Sequence, residues 1–307
     1  VPNQGDGWVH TVEQLEYYLE YRLSRSAEVQ VSAHAEAANG ELDEGLMEQD
    51  AATIEDGEAA YMALVHTMGL RTGQLHAALA SETEDEAFRP EPVRAEDLEG
   101  WRGLVHTDAD RTLDALAANL PRLPEQRHAD AEELFGRREQ IHARIDAAVP
   151  DRVDAMRTRF HGDYHLGQVL VVQHDVQIID FEGEQPRPDA PRLLKHMPLR
   201  DVAGMLRSFD YAAHAAVLSV SAGRPDDRAV IAPIAAQWAE QARATFLQGY
   251  EEGVQGSLAY PADEDNARRL LELFLLEKAL YEVSYELNHR PDWAIIPIRG
   301  ILALLSR

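Results

Sequence analysis

Apolar residues recur at helical intervals along most of this chain and gather into unbroken β-branched runs at one place only. Val12, Leu15, Leu19 and Leu23 fall three or four residues apart, behind a Thr11…Gln14 pair with capping-box spacing, which predicts a helix from about 11 to 25. Residues 27–48 are rich in Ala and Glu around an Asn39-Gly40 break and read as one or two helices with a turn. Ala60, Leu64, Thr67, Leu70 and Leu75 keep one face of a long helix over 54–80 largely apolar, and His66 and His76 on it read as core or rim residues. Residues 81–100 carry Glu82, Glu84, Asp85, Glu86, Pro90 and Pro92 and read as a solvated acidic loop. Helical spacing returns over 107–120 and 128–148, split by Pro121 and Pro124, and Val149-Pro150 ends it. Further helices are predicted from Asp201, read as an N-cap, to about 221, and over 229–252, 264–288 and 292–305.

The β-branched runs are Val169-Leu170-Val171-Val172 and Val176-Gln177-Ile178-Ile179, parted by Gln173-His174-Asp175, and they predict a hairpin. An irregular proline-rich stretch follows over 185–198. The pattern predicts a mainly α fold: one helical bundle with a small central β-hairpin, without internal repeats or a low-complexity linker.

Composition narrows the partners. The 307 residues suffice for a substantial core, and 45% are hydrophobic, as in ordinary folded proteins. No apolar run approaches the roughly 18 residues of a membrane span, and the segment Val1-Pro2-Asn3-Gln4-Gly5-Asp6-Gly7-Trp8 lacks the basic start and apolar core of a signal peptide. The expectation is a cytoplasmic protein. A net charge of −25 argues against nucleic acid and anionic membrane as partners but leaves a nucleotide open, since magnesium offsets local charge. With no cysteine, disulfides and thiolate metal sites are excluded. There are two lysines, Lys195 and Lys278, against 27 arginines, and neither a Walker loop nor a glycine-rich phosphate loop.

Candidate chemistry concentrates in 159–184. Asp163 stands in a polar loop beside His161, His165 and Gln168, and Asp180 follows the second strand. One carboxylate to orient and deprotonate a hydroxyl, with oxygen donors for magnesium on a nucleotide's phosphates, is the kit for phosphoryl transfer. Two rival readings are weaker. His161, Asp163 and His165 could meet as a metal site on a helix, but Gly162 and Gly167 favour a loop; a serine hydrolase lacks its Gly-x-Ser-x-Gly.

His161-Gly162-Asp163-Tyr164-His165-Leu166-Gly167-Gln168, with Ile179-Asp180-Phe181-Glu182-Gly183-Glu184, resembles the catalytic core of maltokinases, in the aminoglycoside-phosphotransferase-like, protein-kinase-like fold. The superfamily pattern carries Asn where this chain has Gln168, and Asp-Phe-Glu stands where protein kinases have Asp-Phe-Gly. Similarity extends through Pro198–Phe209, Leu276–Ala279, Tyr285–Trp293 and Ile296–Gly300, and 2–8 is similar to the segment joining the family's two lobes. The resemblance implies that 1–10 is an inter-lobe linker remnant and 11–307 a kinase-like C-terminal lobe. By it, Asp163 is the catalytic base, Gln168 and Asp180 hold Mg2+, and His161, His165 and Asp201 support the loop. The implied reaction is ATP-dependent phosphorylation of maltose to maltose 1-phosphate, with trehalose synthase as a fused or complexed partner. Tyr285, Glu286, Asn288, Arg290, Trp293 and Arg299 are its candidate sugar pocket. Because the family's phosphate-gripping lobe has no counterpart in the sequence, the isolated chain is expected to transfer phosphate weakly or not at all. The alternatives are another sugar or aminoglycoside kinase of the same fold, or a non-catalytic docking module of a glucan-synthesis assembly.

Overall fold

A computed structural model describes residues 3–35, 44–181 and 195–306. The predicted turn at Asn39-Gly40, the tail of the motif from Glu182 to Glu184 and most of the proline-rich stretch lie outside the described residues. The chain is mainly helical and forms two compact units, one of residues 1–74, 166–179 and 208–253, the other of 75–165, 180–207 and 254–307.

In the first unit, helix α1 (Gly7–Ala35) begins four residues earlier than its spacing predicts. Asp6 is the cap: its Oδ1 accepts the Val9 amide at 2.9 Å. Thr11, read from sequence as the cap, is instead fully buried within the helix, its hydroxyl donating to Gly7 O and sharing a 2.7 Å hydrogen bond with the Tyr61 hydroxyl. Tyr61 lies on α2 (Glu44–Leu79), of which 44–74 belong to this unit. Burial pushes its phenol far above the usual range, so it is a neutral core group, stacked on Trp238 of α7 (Asp227–Val254).

Helices α2 and α7 cross almost backbone to backbone. A Cβ added to Gly249 would lie 2.1 Å from His66 O, and one on Gly69 would lie 2.0 Å from Phe246 O. Glycine at both positions is what lets the axes approach so closely. Phe209, Phe246 and Tyr250 fill the adjoining core.

The predicted hairpin is present. Strands β3 (Val169–Val172) and β4 (Asp175–Ile178) pair antiparallel, with Val169 opposite Ile178 and Val172 opposite Asp175. The turn is two residues, Gln173-His174, rather than three, because Gln173 takes a left-handed φ of 58° and Asp175 joins the ladder. The segment before α1 adds to this hairpin: Gln4 N donates to Val171 O at 2.9 Å and Val171 N to Gly5 O at 3.0 Å.

In the second unit, α3 (Ala95–Asn119) packs on α5 (Arg138–Ala148) and on α8 (Glu264–His289), while α9 (Ile295–Leu305) packs on α8 and on α4 (His128–Gly136). Leu113, Leu116, Ile141, Ile145, Leu273 and Leu280 are buried among them. Two boundaries differ from expectation. Helix α3 starts at Ala95, twelve residues before 107, because Asp97 accepts the Arg94 amide at 2.8 Å and starts the helix inside the acidic segment. The predicted 128–148 helix is broken at Arg137, whose ψ of 22° is non-helical.

A second strand pair also lies here: β1 (Glu91–Pro92) pairs antiparallel with β2 (Met156–Arg157). Glu91 binds Lys195 Nζ at 2.7 Å and Arg157 at 2.8 Å, and the lysine's hydrogen bond holds the Glu91 carboxyl below its usual range. Lys195 is thus spent on structure. No helix among the described residues is long and apolar enough to cross a membrane.

Candidate functional site

The stretch from Thr158 into the polar loop is built on the start of α6 (Leu199–Val220). Thr158 pairs with His196 through both backbone hydrogen bonds, at 3.0 and 2.9 Å. His196 is a half-buried residue, but its ring is packed between Trp101, Phe274 and Phe160, with centroids 4.6, 5.4 and 5.9 Å away. That packing, and the cations of Arg200 and Arg157, hold the imidazole well below its ordinary value, so it stands neutral.

The loop then passes over the first turn of α6. Asp201, 2% exposed, accepts the His161 amide on Oδ2 at 2.7 Å and the Gly162 amide on Oδ1 at 2.9 Å. It sits in the helix's first turn, so the sequence reading of it as the N-cap is corrected: its carboxylate serves the loop's amides instead. Gly162 turns the chain at a φ of 89°, which a residue with a Cβ rarely adopts. The helix must also be thin where the loop crosses it: a Cβ on Gly204 would lie 2.5 Å from Tyr164 O.

This scaffold buries His161 and Tyr164 and leaves Asp163 between them part-exposed, its carboxylate 4.0 Å from His165 Nε2. The His161 ring lies 5.2 Å from Tyr164 and 5.0 Å from Phe181, and its Nδ1 faces the Asp163 amide at 3.3 Å. His161 is therefore a packed support rather than an open ligand. Burial lowers the His165 imidazole, with Asp163 acting in the opposite direction, so near neutral pH His165 is mostly uncharged beside the carboxylate. Asp180 is exposed, at a φ of 63° that a non-glycine residue seldom takes.

Gln168 closes the turn Leu166–Gln168 in the first unit. Its carbonyl accepts the Ile179 amide at 2.9 Å, Leu166 N donates to Ser208 Oγ at 3.3 Å, and a Cβ on Gly7 would lie 2.8 Å from Leu166 O. The end of the loop is thereby fixed against α1 and the hairpin.

An open cleft adjoins Gly162 and Tyr164 in the second unit. Its far wall is α8, from which Glu277, Lys278 and Tyr281 line it. Glu277, 5% exposed, is clamped by Arg200 at 2.7 and 3.1 Å, a two-pronged pair that neutralises it. The Lys278 ammonium lies 5.1 Å from the Tyr281 ring centre, within cation–π range. Lys278 and Tyr281 were absent from the predicted sugar pocket. Their signal was available, since 278 and 281, seven and four residues before Tyr285, share its helical face.

The six residues of that predicted pocket divide into separate settings, and none of them lines this cleft. Glu286 is buried at 1% and chelated by Arg290 at 2.7 and 3.0 Å, with the Arg290 guanidinium 4.6 Å above Trp293. Tyr285 is 42% exposed and stacks on Tyr281 and His289. Asn288 bonds back to Ser284 O on its own helix, and Arg299 pairs with Asp130 of α4 at 3.0 Å.

No protein-family model matches the chain. It is 28% identical over 243 residues to the glucosamine kinase of Streptacidiphilus jiangxiensis, covering 78% of this chain and 48% of that protein. It is 27% identical over 258 residues to the glucosamine kinase of Mycolicibacterium smegmatis, covering 84% of this chain and 57% of that protein. The chain thus spans about half the length of the curated relatives it matches. Among solved structures, a glucosamine kinase superposes with a TM-score of 0.65 at 23% identity, over 100% of this chain and 61% of that one. A glucosamine kinase in complex with glucosamine, ADP and inorganic phosphate superposes equally well, over 99% and 58%.

These findings correct the maltokinase resemblance: the relatives are glucosamine kinases, and maltose and trehalose synthase leave the account with it. The physical reason is that Asp163, Gln168 and Asp180 are the residue types that address phosphates and a reacting hydroxyl; they carry no information about the rest of the sugar. What the comparison establishes directly is the fold, which this chain shares with the corresponding part of glucosamine kinase.

Proposed function

We propose that this chain is the acceptor-side part of an ATP-dependent sugar kinase acting on an amino sugar of the glucosamine class. The observation that carries the reading is the Asp201 clamp on the His161 and Gly162 amides, which fixes the loop so that part-exposed Asp163 stands between Gly162 and Tyr164, two residues that line a cleft. In this reading Asp163 orients the acceptor hydroxyl and takes its proton, His165 supports it, and Asp180 is an oxygen ligand for magnesium. Gln168, in the first unit, has the matching residue type for a magnesium ligand, a carboxamide oxygen. Magnesium would supply charge neutralisation on the nucleotide's phosphates. Lys278 and Tyr281 line the cleft's far wall, and in this reading they would contact the acceptor. Residues 11–307 then form the C-terminal lobe of the kinase, with 1–10 its linker. The glucosamine kinase relatives support the substrate class, and the deeply acidic chain suits a sugar that is an ammonium ion at neutral pH.

The test is ADP release with Mg-ATP and glucosamine, glucose or maltose, on the protein at its natural length. Glucosamine is expected to be turned over, and Asp163→Asn to lower kcat by about a hundredfold or more with folding intact. Undiminished turnover in the folded variant, or wild-type protein inert toward amino sugars, refutes the reading.

A further inference from the structure

His76 is a buried titratable residue that the chemistry above leaves unused. It lies near the end of α2, fully buried, with Nε2 3.1 Å from Asp201 Oδ2. The same carboxylate accepts the amides of His161 and Gly162. Three groups of the second unit therefore converge on two oxygens, and two of them, being amides, can only donate. Oδ2 is shared between the His161 amide at 2.7 Å and the imidazole, so for the contact to be favourable Nε2 must carry the ring's proton.

Burying a carboxylate is costly unless its oxygens are satisfied. Two backbone amides on adjacent residues leave the carboxylate free to swing as the loop moves, and Gly162 gives that loop freedom. A donor from a separate helix, approaching Oδ2 from outside the loop, removes the freedom. Sequence spacing alone placed His76 as core filling; the contact across 125 residues gives it a different task.

We propose that His76 is a positioning residue for phosphoryl transfer: its Nε2–H fixes the Asp201 carboxylate so that each oxygen faces its own loop amide, and Asp163 is thereby held in place. The role of Asp163 in this statement rests on the kinase reading above; the hold of His76 on the loop does not.

The test compares His76→Leu, which keeps apolar bulk without a donor, with His76→Gln, whose amide NH2 reaches about as far as Nε2. In His76→Leu, kcat is expected to fall about tenfold or more, as misplacement of a reacting group does. The KM values for ATP and sugar should stay within about threefold, because ground-state binding is untouched. His76→Gln should recover most of the lost kcat. Amide exchange at His161 and Gly162 should quicken about tenfold in the leucine variant and not in the glutamine variant, in keeping with local opening. A folded His76→Leu with wild-type kcat and wild-type amide protection overturns the proposal, as does a glutamine variant no better than leucine, which would mark the residue as packing alone. If His76→Leu does not fold, nitrogen NMR of the wild-type imidazole decides: a proton on Nε2 is required, and one on Nδ1 alone overturns the assignment. If the wild-type protein phosphorylates no sugar, the kinase reading fails by itself and the exchange data still judge His76.

Discussion

His196 offers a clean test of how the loop's foundation is held. Its ring is packed among Trp101, Phe160 and Phe274, and its imidazole is held well below 6.5, first by burial and then by Arg200 and Arg157. Above about pH 6.5 the histidine is neutral in both the folded and the unfolded chain, and the packing contributes fully. As pH falls, the unfolded chain takes up a proton that the folded chain refuses, so stability drops toward the lowered folded value. One proton gives a slope of at most about 1.4 kcal/mol per pH unit, or about 2 kcal/mol of loss between pH 7.5 and 5. Because the residue is only half-buried, that figure is an upper value. His196→Phe keeps an aromatic ring in the box and removes the titration. It also loses the hydrogen bond from the Met197 amide to His196 Nδ1, 2.7 Å, but that cost does not depend on pH. Urea denaturation of both proteins at several pH values measures the difference directly. The variant's stability should fall less steeply below pH 6.5, and the two curves should converge or cross toward pH 5. Parallel curves would refute a buried neutral histidine at this position.

Three further outcomes follow from the packing and the charges. Gly249→Ala forces a Cβ to within 2.1 Å of His66 O and should destabilise by about 1–3 kcal/mol or more, whereas Gly100→Ala at an exposed position of α3, where a Cβ meets nothing within 4 Å, should stabilise by about 0.5–1 kcal/mol; thermal melts compare the two, and equal effects would contradict the α2–α7 crossing. Arg200→Leu leaves Glu277 buried without its partner and should cost up to about 3 kcal/mol by chemical denaturation, with most of the loss restored when Glu277→Leu is added. The carboxyl of Asp110 is held low by its hydrogen bonds from His142 and then Arg138; its support is therefore present at neutral pH and lost as pH falls through that lowered value, and carboxyl NMR should show it moving back up in His142→Ala.

The helices were legible because burial on one face imposes a 3.6-residue period that needs no knowledge of the partner. The hairpin was legible for the matching reason: β-branched runs flanking a short polar turn. Boundaries were less so. The Asp6 cap and the Asp97 start of α3 lay in segments that composition marked as loop, and Thr11 resembled a cap while its hydroxyl belonged to Tyr61, fifty residues on. The candidate site divides the same way. Asp163 and Asp180 stand out because a carboxylate beside a buried strand has few structural excuses. The C-terminal set drew attention through its polar and aromatic residue types. Yet Glu286, Arg290 and Trp293 serve one another, Arg299 serves Asp130, and the residues that reach the cleft are Lys278 and Tyr281.

The sequence by itself determined the mainly helical pattern, the hairpin and the chemical character of the loop, because each is written in neighbours within a few residues. Only the tertiary structure decided which two amides the Asp201 carboxylate holds and that it does not cap its own helix, that His76 stands behind it, and that α8 walls the cleft. Those contacts join residues 39 to 125 positions apart. Local spacing records which side of an element is buried; what it is buried against is settled only when the chain closes on itself.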